Sequence, residues 1–295
     1  NGQLGKKIID LKPDGINLIA TNRDNLNLSN QDECLKQIKL HNPDWIINSA
    51  AFTNVDLAEK NVSEAFRVNS IAPKNFSETI LKNKCKLLQI STDYVFNGRK
   101  TFAYEPYEKR SPINIYGSSK SAGEEYIERI LEGKNKAIIL RSSGVIGPEN
   151  NNFLTRILEL FSKRSEIKVI SDQISCPTST FTLARMCWLL IKKEEIVFNS
   201  LNKKVPIFHC CDKGRASWYE VAETILEFGL ELGLIKKKSS LMPIKAIEYN
   251  SLALRPKFSL LNCDKSFEIL NFKANYWKEE LYKNMTKILI NNYQD

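Results

Sequence analysis

One tyrosine and one lysine, Tyr116 and Lys120, have a spacing that points to acid–base chemistry. Residues i and i+4 lie on one face of a helix, so the lysine ammonium can lie near the phenol. A neighbouring positive charge stabilises the phenolate and lowers a pKa that is ordinarily ~10. Such a tyrosine can protonate the oxygen of a carbonyl group that receives a hydride, while the lysine holds the ribose of a nicotinamide cofactor. The alternative is an exposed pair without a role, because this spacing is common by chance.

A second polar segment strengthens the functional interpretation. Residues 91–94 read Ser-Thr-Asp-Tyr and end a predicted buried strand upstream of the Tyr116 helix. Downstream of such a strand, a chance occurrence of the Tyr116 and Lys120 spacing is far less common.

Histidine is too scarce to carry much of the chemistry. The chain has two, His41 and His209, which excludes a multi-histidine metal site and disfavours a Ser-His-Asp triad. Acid–base work therefore falls to Tyr, Lys, Asp or Glu. We predict no metal site within the chain, and whether Mg²⁺ binds between acidic loops of two subunits stays open.

Two glycines near the start of the sequence, Gly2 and Gly5, have the spacing of the last two glycines of a G-x-x-G-x-x-G turn. Such glycines allow the backbone to approach a pyrophosphate at the N-terminus of a helix. The first glycine and its strand would precede Asn1, so we expect the sequence to lack its N-terminal strand.

The choice of cofactor is predicted from the segment 20–23, Ala-Thr-Asn-Arg. Enzymes that use NAD usually carry an acidic residue about 20 residues beyond the glycines, where it holds the ribose 2′-hydroxyl. Here Arg23 stands instead, and an arginine suits a 2′-phosphate. NADPH is therefore favoured, while Asp24 leaves NADH open.

Composition narrows the class of protein. The chain has 295 residues, 42% of them hydrophobic, which is globular composition. No apolar run approaches the ~18 residues of a membrane span, so we expect no membrane association. Seven cysteines without a C-x-x-C spacing predict reduced thiols in a cytoplasmic protein.

The net charge of +9 is compatible with a solvated surface or with an anionic small ligand. Nucleic acid is disfavoured as a partner, because no basic motif is interleaved with aromatic residues.

The elements that must position these residues alternate between strand and helix. Strands are predicted over 16–20, 44–48, 86–91 and 137–141, and helices over 29–41 with Ser29 as N-cap, 63–82 and 115–131. This alternation predicts an α/β fold, a Rossmann-like doubly wound parallel sheet. We assign 1–147 to a dinucleotide-binding domain, completed by part of 178–210. Residues 148–295 form mainly a smaller mixed α/β substrate-binding lobe, with helices near 152–163, 180–192 and 217–232.

Six segments in order along the chain resemble a known family. They are NSAAFTNVD at 48–56, STDYVF at 91–96, YGSSKSAGE at 116–124, DQISCPT at 172–178, SWY at 217–219 and ALRPKFS at 253–259. Together they resemble the extended short-chain dehydrogenase/reductases, and more closely their dTDP-4-dehydrorhamnose reductase branch.

The resemblance implies a reductase that passes hydride from a nicotinamide cofactor to the 4-keto group of a dTDP-activated 6-deoxysugar. Tyr116 would donate the proton, and Lys120 would be its electrostatic partner and ribose anchor. Thr92 would hydrogen-bond near the reacting carbonyl, with Asp93 beside the sugar. Arg255 would bind the substrate diphosphate, or else form an ion pair between the lobes.

The resemblance also implies a set of cofactor-binding residues. At the pyrophosphate it places Gly2, Gln3, Leu4 and Gly5. Beside the adenine it places Asn27 and Leu28, and along the edge of the cofactor Ala50, Ala51 and Thr53. Tyr116, Lys120 and Arg23 complete the set, and a homodimer stays open.

One departure from the family concerns Gly144. The family commonly has Arg-Thr-Ser-Trp-Val-Tyr where this chain has Arg-Ser-Ser-Gly-Val-Ile at 141–146. Loss of that tryptophan removes a stacking surface, which leaves another ketosugar or another wall open. A non-catalytic dinucleotide-binding subunit, like the regulatory subunit of methionine adenosyltransferase, is a further alternative. So is another nucleotide-sugar epimerase or reductase.

Overall fold

The computed structural model describes residues 2–149, 152–199, 204–236 and 239–292. Its helices are α1 (Gln3–Asp10), α2 (Gln31–His41), α3 (Val55–Lys60), α4 (Val62–Phe66), α5 (Ala72–Leu81), α6 (Ile115–Leu131), α7 (Phe153–Lys163), α8 (Thr180–Lys192), α9 (Glu194–Asn199), α10 (Trp218–Glu231), α11 (Asp264–Leu270) and α12 (Trp277–Asn292). Its strands are β1 (Trp45–Asn48), β2 (Lys86–Thr92), β3 (Ala137–Ser142), β4 (Val145–Ile146), β5 (Glu166–Ile170), β6 (Ile174–Ser175), β7 (Thr178–Ser179), β8 (Ile207–His209), β9 (Ala216–Ser217) and β10 (Ser240–Ile244).

A parallel sheet with the order β1-β2-β3-β8 forms the centre of the first domain. Consecutive residues of each strand point to opposite faces, so neighbours such as Ile138 and Ile139 enter different cores. Helices α1 and α8 cover one face, and α2, α5 and α6 cover the other. The predicted α/β fold is confirmed, and β8 brings a segment from beyond residue 200 into this sheet.

The second lobe packs a separate core between α7, α10, α12 and the two-stranded parallel sheet of β5 and β10. The strands β6 and β9 form a separate antiparallel pair that joins Ile174 to Ser217 and Ser175 to Ala216. In the described residues no helix is long and apolar enough to cross a bilayer. All seven cysteines are free and buried, as expected for reduced thiols that fill cores.

Two local predictions are wrong. Residues 16–20 form no strand: Ile16 and Ile19 are exposed, and no described strand lies beside the segment to complete a ladder. The N-cap of α2 is Asn30 rather than Ser29, because the Asn30 side chain accepts hydrogen bonds from the amides of Asp32 and Glu33. The Ser29 hydroxyl instead donates to Asn27.

Candidate active site

The carboxyl ends of three neighbouring strands gather the polar residues of the candidate site. β1, β2 and β3 are parallel and end at Asn48, Thr92 and Ser142, with Thr92 directly beside Ser142. In open α/β sheets ligands bind at this edge. The residues that follow each strand therefore line one cleft.

Tyr116 is brought to this edge by the first turn of α6. The Asn114 side chain caps the helix by accepting a hydrogen bond of 2.7 Å from the Gly117 amide. Tyr116 then lies beside Thr92, and the side-chain hydrogen bond between the two residues lowers the phenol pKa. Burial outweighs that effect and, together with the Asp93 carboxylate, raises the pKa of Tyr116 to about 12.

Lys120 lies one turn further along α6 and is buried. Its ammonium donates a hydrogen bond of 2.6 Å to the carbonyl oxygen of Ile90 on β2. Burial lowers its pKa to about 8. The expectation that Lys120 lowers the pKa of Tyr116 is therefore wrong for this structure: the ammonium is directed to the strand, and burial of the phenol dominates.

Asp93 is more deeply buried than a residue that only contacts a sugar would require. Its two carboxylate oxygens accept hydrogen bonds from Thr92 Oγ1 at 3.0 Å and from Ser259 Oγ at 2.5 Å. Burial raises its pKa to about 6. Asp93 thus fixes the direction of the Thr92 proton and ties it to a segment of the second lobe.

The N-terminus of α1 fits the pyrophosphate of a dinucleotide. The first amides of a helix have no intrahelical acceptor, and around Gly2 a Cβ atom would meet no atom within 4 Å, so the space there is open. Gln3 donates to the Val145 carbonyl oxygen at 3.2 Å, which places this terminus beside the segment that follows β3. Leu4 is buried in the core, and Gly5 approaches Ser49 after β1.

The expected adenine-binding residues lie in the turn between α1 and α2. Asn27 accepts hydrogen bonds from Ser29, and the Leu28 carbonyl oxygen accepts one of 3.2 Å from the Asn75 side chain. Arg23 is exposed in the same turn. Because residues 16–20 form no strand, Arg23 follows irregular backbone rather than the strand end from which its role was predicted.

The segment of Ala50, Ala51 and Thr53 follows β1 and is held by Asn69, a residue that the sequence analysis missed. The Asn69 side chain accepts a hydrogen bond from the Phe52 amide at 2.8 Å and donates to the Phe52 carbonyl oxygen at 3.0 Å. It also donates to Ser119 on α6. No local pattern marks Asn69, because it lies in a π-helical turn (Arg67–Ile71) between α4 and α5.

Arg255 forms an ion pair in this structure. Its guanidinium donates to Asp56 at 2.6 and 3.3 Å, and Asp56 also accepts the Ala253 amide. A hydrogen bond from Arg255 lowers the pKa of Tyr94, although burial raises it overall. Tyr94 packs edge-on against Tyr116 with ring centroids 5.7 Å apart, which places Arg255 beside the cleft.

Gly144, the position of the family tryptophan, adopts a left-handed backbone with φ of +51°. A Cβ atom here would lie 3.3 Å from Pro177 Cα and 3.5 Å from the tip of the Trp218 indole. Trp218 packs on Phe153 with ring centroids 4.5 Å apart. The Trp218 side chain from α10 therefore lies against Gly144, the position at which the family commonly has a tryptophan.

Within the four described ranges no group of three or more His, Cys, Asp or Glu side chains is arranged to hold a metal ion.

Comparisons with known proteins agree over nearly the whole chain. A family model described as the RmlD substrate binding domain matches residues 1–290. The spore coat polysaccharide biosynthesis protein SpsK of Bacillus subtilis (strain 168) is 34% identical over 281 residues, which are 95% of this chain and 92% of that protein. The dTDP-4-dehydrorhamnose reductase of Aggregatibacter actinomycetemcomitans is 31% identical and covers 95% and 94% of the two chains.

A solved structure gives the same result in three dimensions. The dTDP-4-dehydrorhamnose reductase from Bacillus anthracis str. Ames, crystallised in complex with NADP, superposes with a TM-score of 0.87 and 31% identity. The match covers 97% of this chain and 96% of that one.

Proposed function

The chain belongs to the family of the RmlD substrate binding domain, and from that premise we propose that it is an NADPH-dependent reductase of a dTDP-4-keto-6-deoxysugar. The expected substrate is dTDP-4-dehydro-L-rhamnose and the product dTDP-L-rhamnose, a precursor for cell-surface polysaccharide. The observation that carries the proposal is the placement of Tyr116 beside Thr92 at the carboxyl edge of the sheet, with Lys120 buried one turn away.

Tyr116 acts as the general acid. A phenol pKa of about 12 keeps the hydroxyl protonated across the neutral range, so the proton is available to the sugar oxygen. When bound, the nicotinamide supplies the hydride that reduces the C4 carbonyl. The Thr92 hydroxyl lies beside the phenol and positions the carbonyl oxygen, and Lys120 would hold the ribose of the bound cofactor.

The binding roles follow from the same geometry. The amides at the start of α1 and the open space at Gly2 receive the pyrophosphate. The exposed guanidinium of Arg23 is suited to a 2′-phosphate, which favours NADPH over NADH. Arg255 lies beside Tyr94 and binds the substrate diphosphate once its contact with Asp56 is shared or released.

The test follows NADPH oxidation with dTDP-4-dehydro-L-rhamnose in wild-type protein and in Tyr116→Phe. We expect the variant to lose at least about 100-fold in kcat, the usual contribution of a general acid, with KM for NADPH little changed. Tyr126→Phe is the matched control, because Tyr126 lies on the same helix and contacts Lys74 and Arg129. Turnover by Tyr116→Phe near that of the wild type would exclude Tyr116 as the proton donor.

A second arm of the same assay identifies the sugar. This chain has Gly144 at the position where the family commonly has a tryptophan. Other dTDP-4-keto-6-deoxysugars are therefore compared with dTDP-4-dehydro-L-rhamnose by kcat/KM. Tight NADPH binding without turnover of any ketosugar would instead favour a non-catalytic dinucleotide-binding subunit.

A further inference from the structure

A buried ion pair joins the proposed catalytic helix to the central sheet. The Glu124 carboxylate accepts hydrogen bonds from Arg141 Nε at 2.9 Å and from Nη2 at 2.6 Å, and both side chains are 1% exposed. Glu124 is on α6 and Arg141 on β3. Burial of two charges is tolerated only where partners are close and the remaining lone pairs are satisfied.

Two further donors complete the surroundings of Glu124. The Ser91 hydroxyl donates to Oε1 at 2.5 Å, and Arg110 Nη1 donates to Oε2 at 3.0 Å. Ser91 directly precedes Thr92 on β2. The carboxylate therefore joins the helix that carries Tyr116 and Lys120 to the two strands that end at the cleft, and its position is fixed from three sides.

Glu124 also lies one helical turn from Lys120. Of the charged groups, Glu124 acts on Lys120, Arg141 on β3 and Arg110 in the preceding loop act on Glu124, and His209 on β8 lies beside Arg141. Burial and the charge of Arg141 lower the His209 pKa to about 3, so His209 is neutral. Glu124 is the charge that raises the Lys120 pKa, in opposition to burial.

We propose that Glu124 is a positioning residue that keeps Lys120 charged and its helix in register with β2 and β3, and that Arg110 sets how strongly Glu124 acts. This inference rests on the proposed function, since it concerns the same Lys120. The buried contacts of Glu124 with Ser91 and Arg141 support it, because they fix the position of the helix and do not involve the substrate.

The test compares two substitutions with opposite expected signs. Glu124→Gln removes the negative charge and so lowers the pKa of Lys120. The alkaline limb of the pH profile, where kcat/KM falls as Lys120 loses its proton, therefore moves to lower pH by about one unit or more. Arg110→Gln removes a neutralising cation from Glu124, so the limb moves up by about 0.5 pH unit. Glu125→Gln is the matched control: Glu125 is exposed on the same helix, and the limb stays within about 0.2 pH unit.

A purely structural role predicts a different pattern. Both variants would lose activity or stability while the alkaline limb stays in place, and that result would overturn the proposal. If Glu124→Gln does not fold because Arg141 is left unpaired, Arg110→Gln still decides, since Arg110 lies partly exposed at the edge of the cluster. An unshifted or lowered limb in Arg110→Gln contradicts the proposal.

A measurement without turnover separates this inference from the proposed function. A lysine with a folded pKa of about 8, below its ordinary value, makes stability rise with pH above that value, because the unfolded state holds the proton longer. Denaturant unfolding at increasing pH should show this rise beginning at lower pH in Glu124→Gln and at higher pH in Arg110→Gln. If the wild type is inactive but the variants show these shifts, the proposed reductase activity is rejected and the role of Glu124 is supported. If the wild type is active but the variants show no shifts, the reductase activity is supported and the role of Glu124 is rejected.

Discussion

The Thr92 hydroxyl has one proton and three neighbours. It donates that proton to Asp93, accepts a hydrogen bond from the Tyr94 amide at 3.2 Å and lies beside the Tyr116 phenol. Asp93 in turn is held by Ser259 from the second lobe. The orientation of one hydroxyl in the cleft thus depends on a residue that lies far away in sequence.

The raised pKa of Asp93 makes a prediction about stability. The folded state keeps this proton up to about pH 6, whereas the unfolded state releases it near 3.8, so stability is lost as pH rises between these values. In Asp93→Asn that loss is absent. We expect the unfolding free energy of the variant, relative to wild type, to increase by about 2 kcal/mol from about pH 4 to pH 7.

Ser259→Ala is the informative comparison for that measurement. The Ser259 hydrogen bond lowers the pKa of Asp93, so its removal should extend the loss of stability to higher pH. Denaturant titrations at each pH measure both effects. Parallel stability curves for wild type and Asp93→Asn would show that this carboxyl titrates alike in the folded and unfolded states.

At the scale of single elements, a glycine explains how closely α6 approaches the turn after β2. A Cβ atom on Gly117 would lie 2.2 Å from the Tyr94 carbonyl oxygen, a backbone atom that cannot easily move. Glycine therefore lets the helix that carries Tyr116 approach the turn after β2 closely.

We expect Gly117→Ala to destabilise the protein by about 1–3 kcal/mol through overpacking. Displacement of the first turn of α6 should also lower kcat by about 100-fold, because a shift of 1 Å is enough to misplace a reacting group. Thermal unfolding and NADPH oxidation measure the two effects. Ser121→Ala on the same helix is the control, and equal behaviour of the two variants would show that the close approach is unimportant.

The helix α6 was predictable from the sequence because the relevant signals are local. The predicted bounds 115–131 are those of α6, and Tyr116 and Lys120 lie within its first two turns. Long-range contacts were not predictable: Asp93 with Ser259, or Asn69 with Phe52, join residues that no local pattern relates. The direction of the Tyr116 pKa shift was missed because burial, which outweighs its neighbours, depends on the complete fold.

Across the whole molecule, one short segment connects the two lobes beside the cleft. Asp56 accepts the Ala253 amide and the Arg255 guanidinium, and Asn114, the cap of α6, donates to the Leu254 carbonyl oxygen at 2.7 Å. The residues 253–255 thus contact both α3 and the start of α6. We expect changes here to alter the geometry of the cleft and, through the proposed role of Arg255, the binding of substrate.

Arg255→Ala and Asp56→Asn separate these two effects. Both remove the ion pair, but only Arg255→Ala removes a cation from the cleft. We expect Arg255→Ala to raise KM for the dTDP-sugar at least about tenfold, the value of one charged hydrogen bond, and Asp56→Asn to raise it much less. Steady-state kinetics at saturating NADPH measures this. Equal increases in KM would assign Arg255 to the connection between the lobes alone.

The distribution of the thiols has a practical consequence. Cys34, Cys85, Cys187 and Cys210 lie in the cores on the two faces of the central sheet, and Cys176, Cys211 and Cys263 lie in the core beneath the cleft. The core between α7, α10 and α12 contains none of them. A thiol-specific dye should therefore label the native protein only as fast as the sheet or the floor of the cleft opens. Labelling in the presence of NADPH would then report, without any engineered probe, how strongly the cofactor holds that part of the molecule closed.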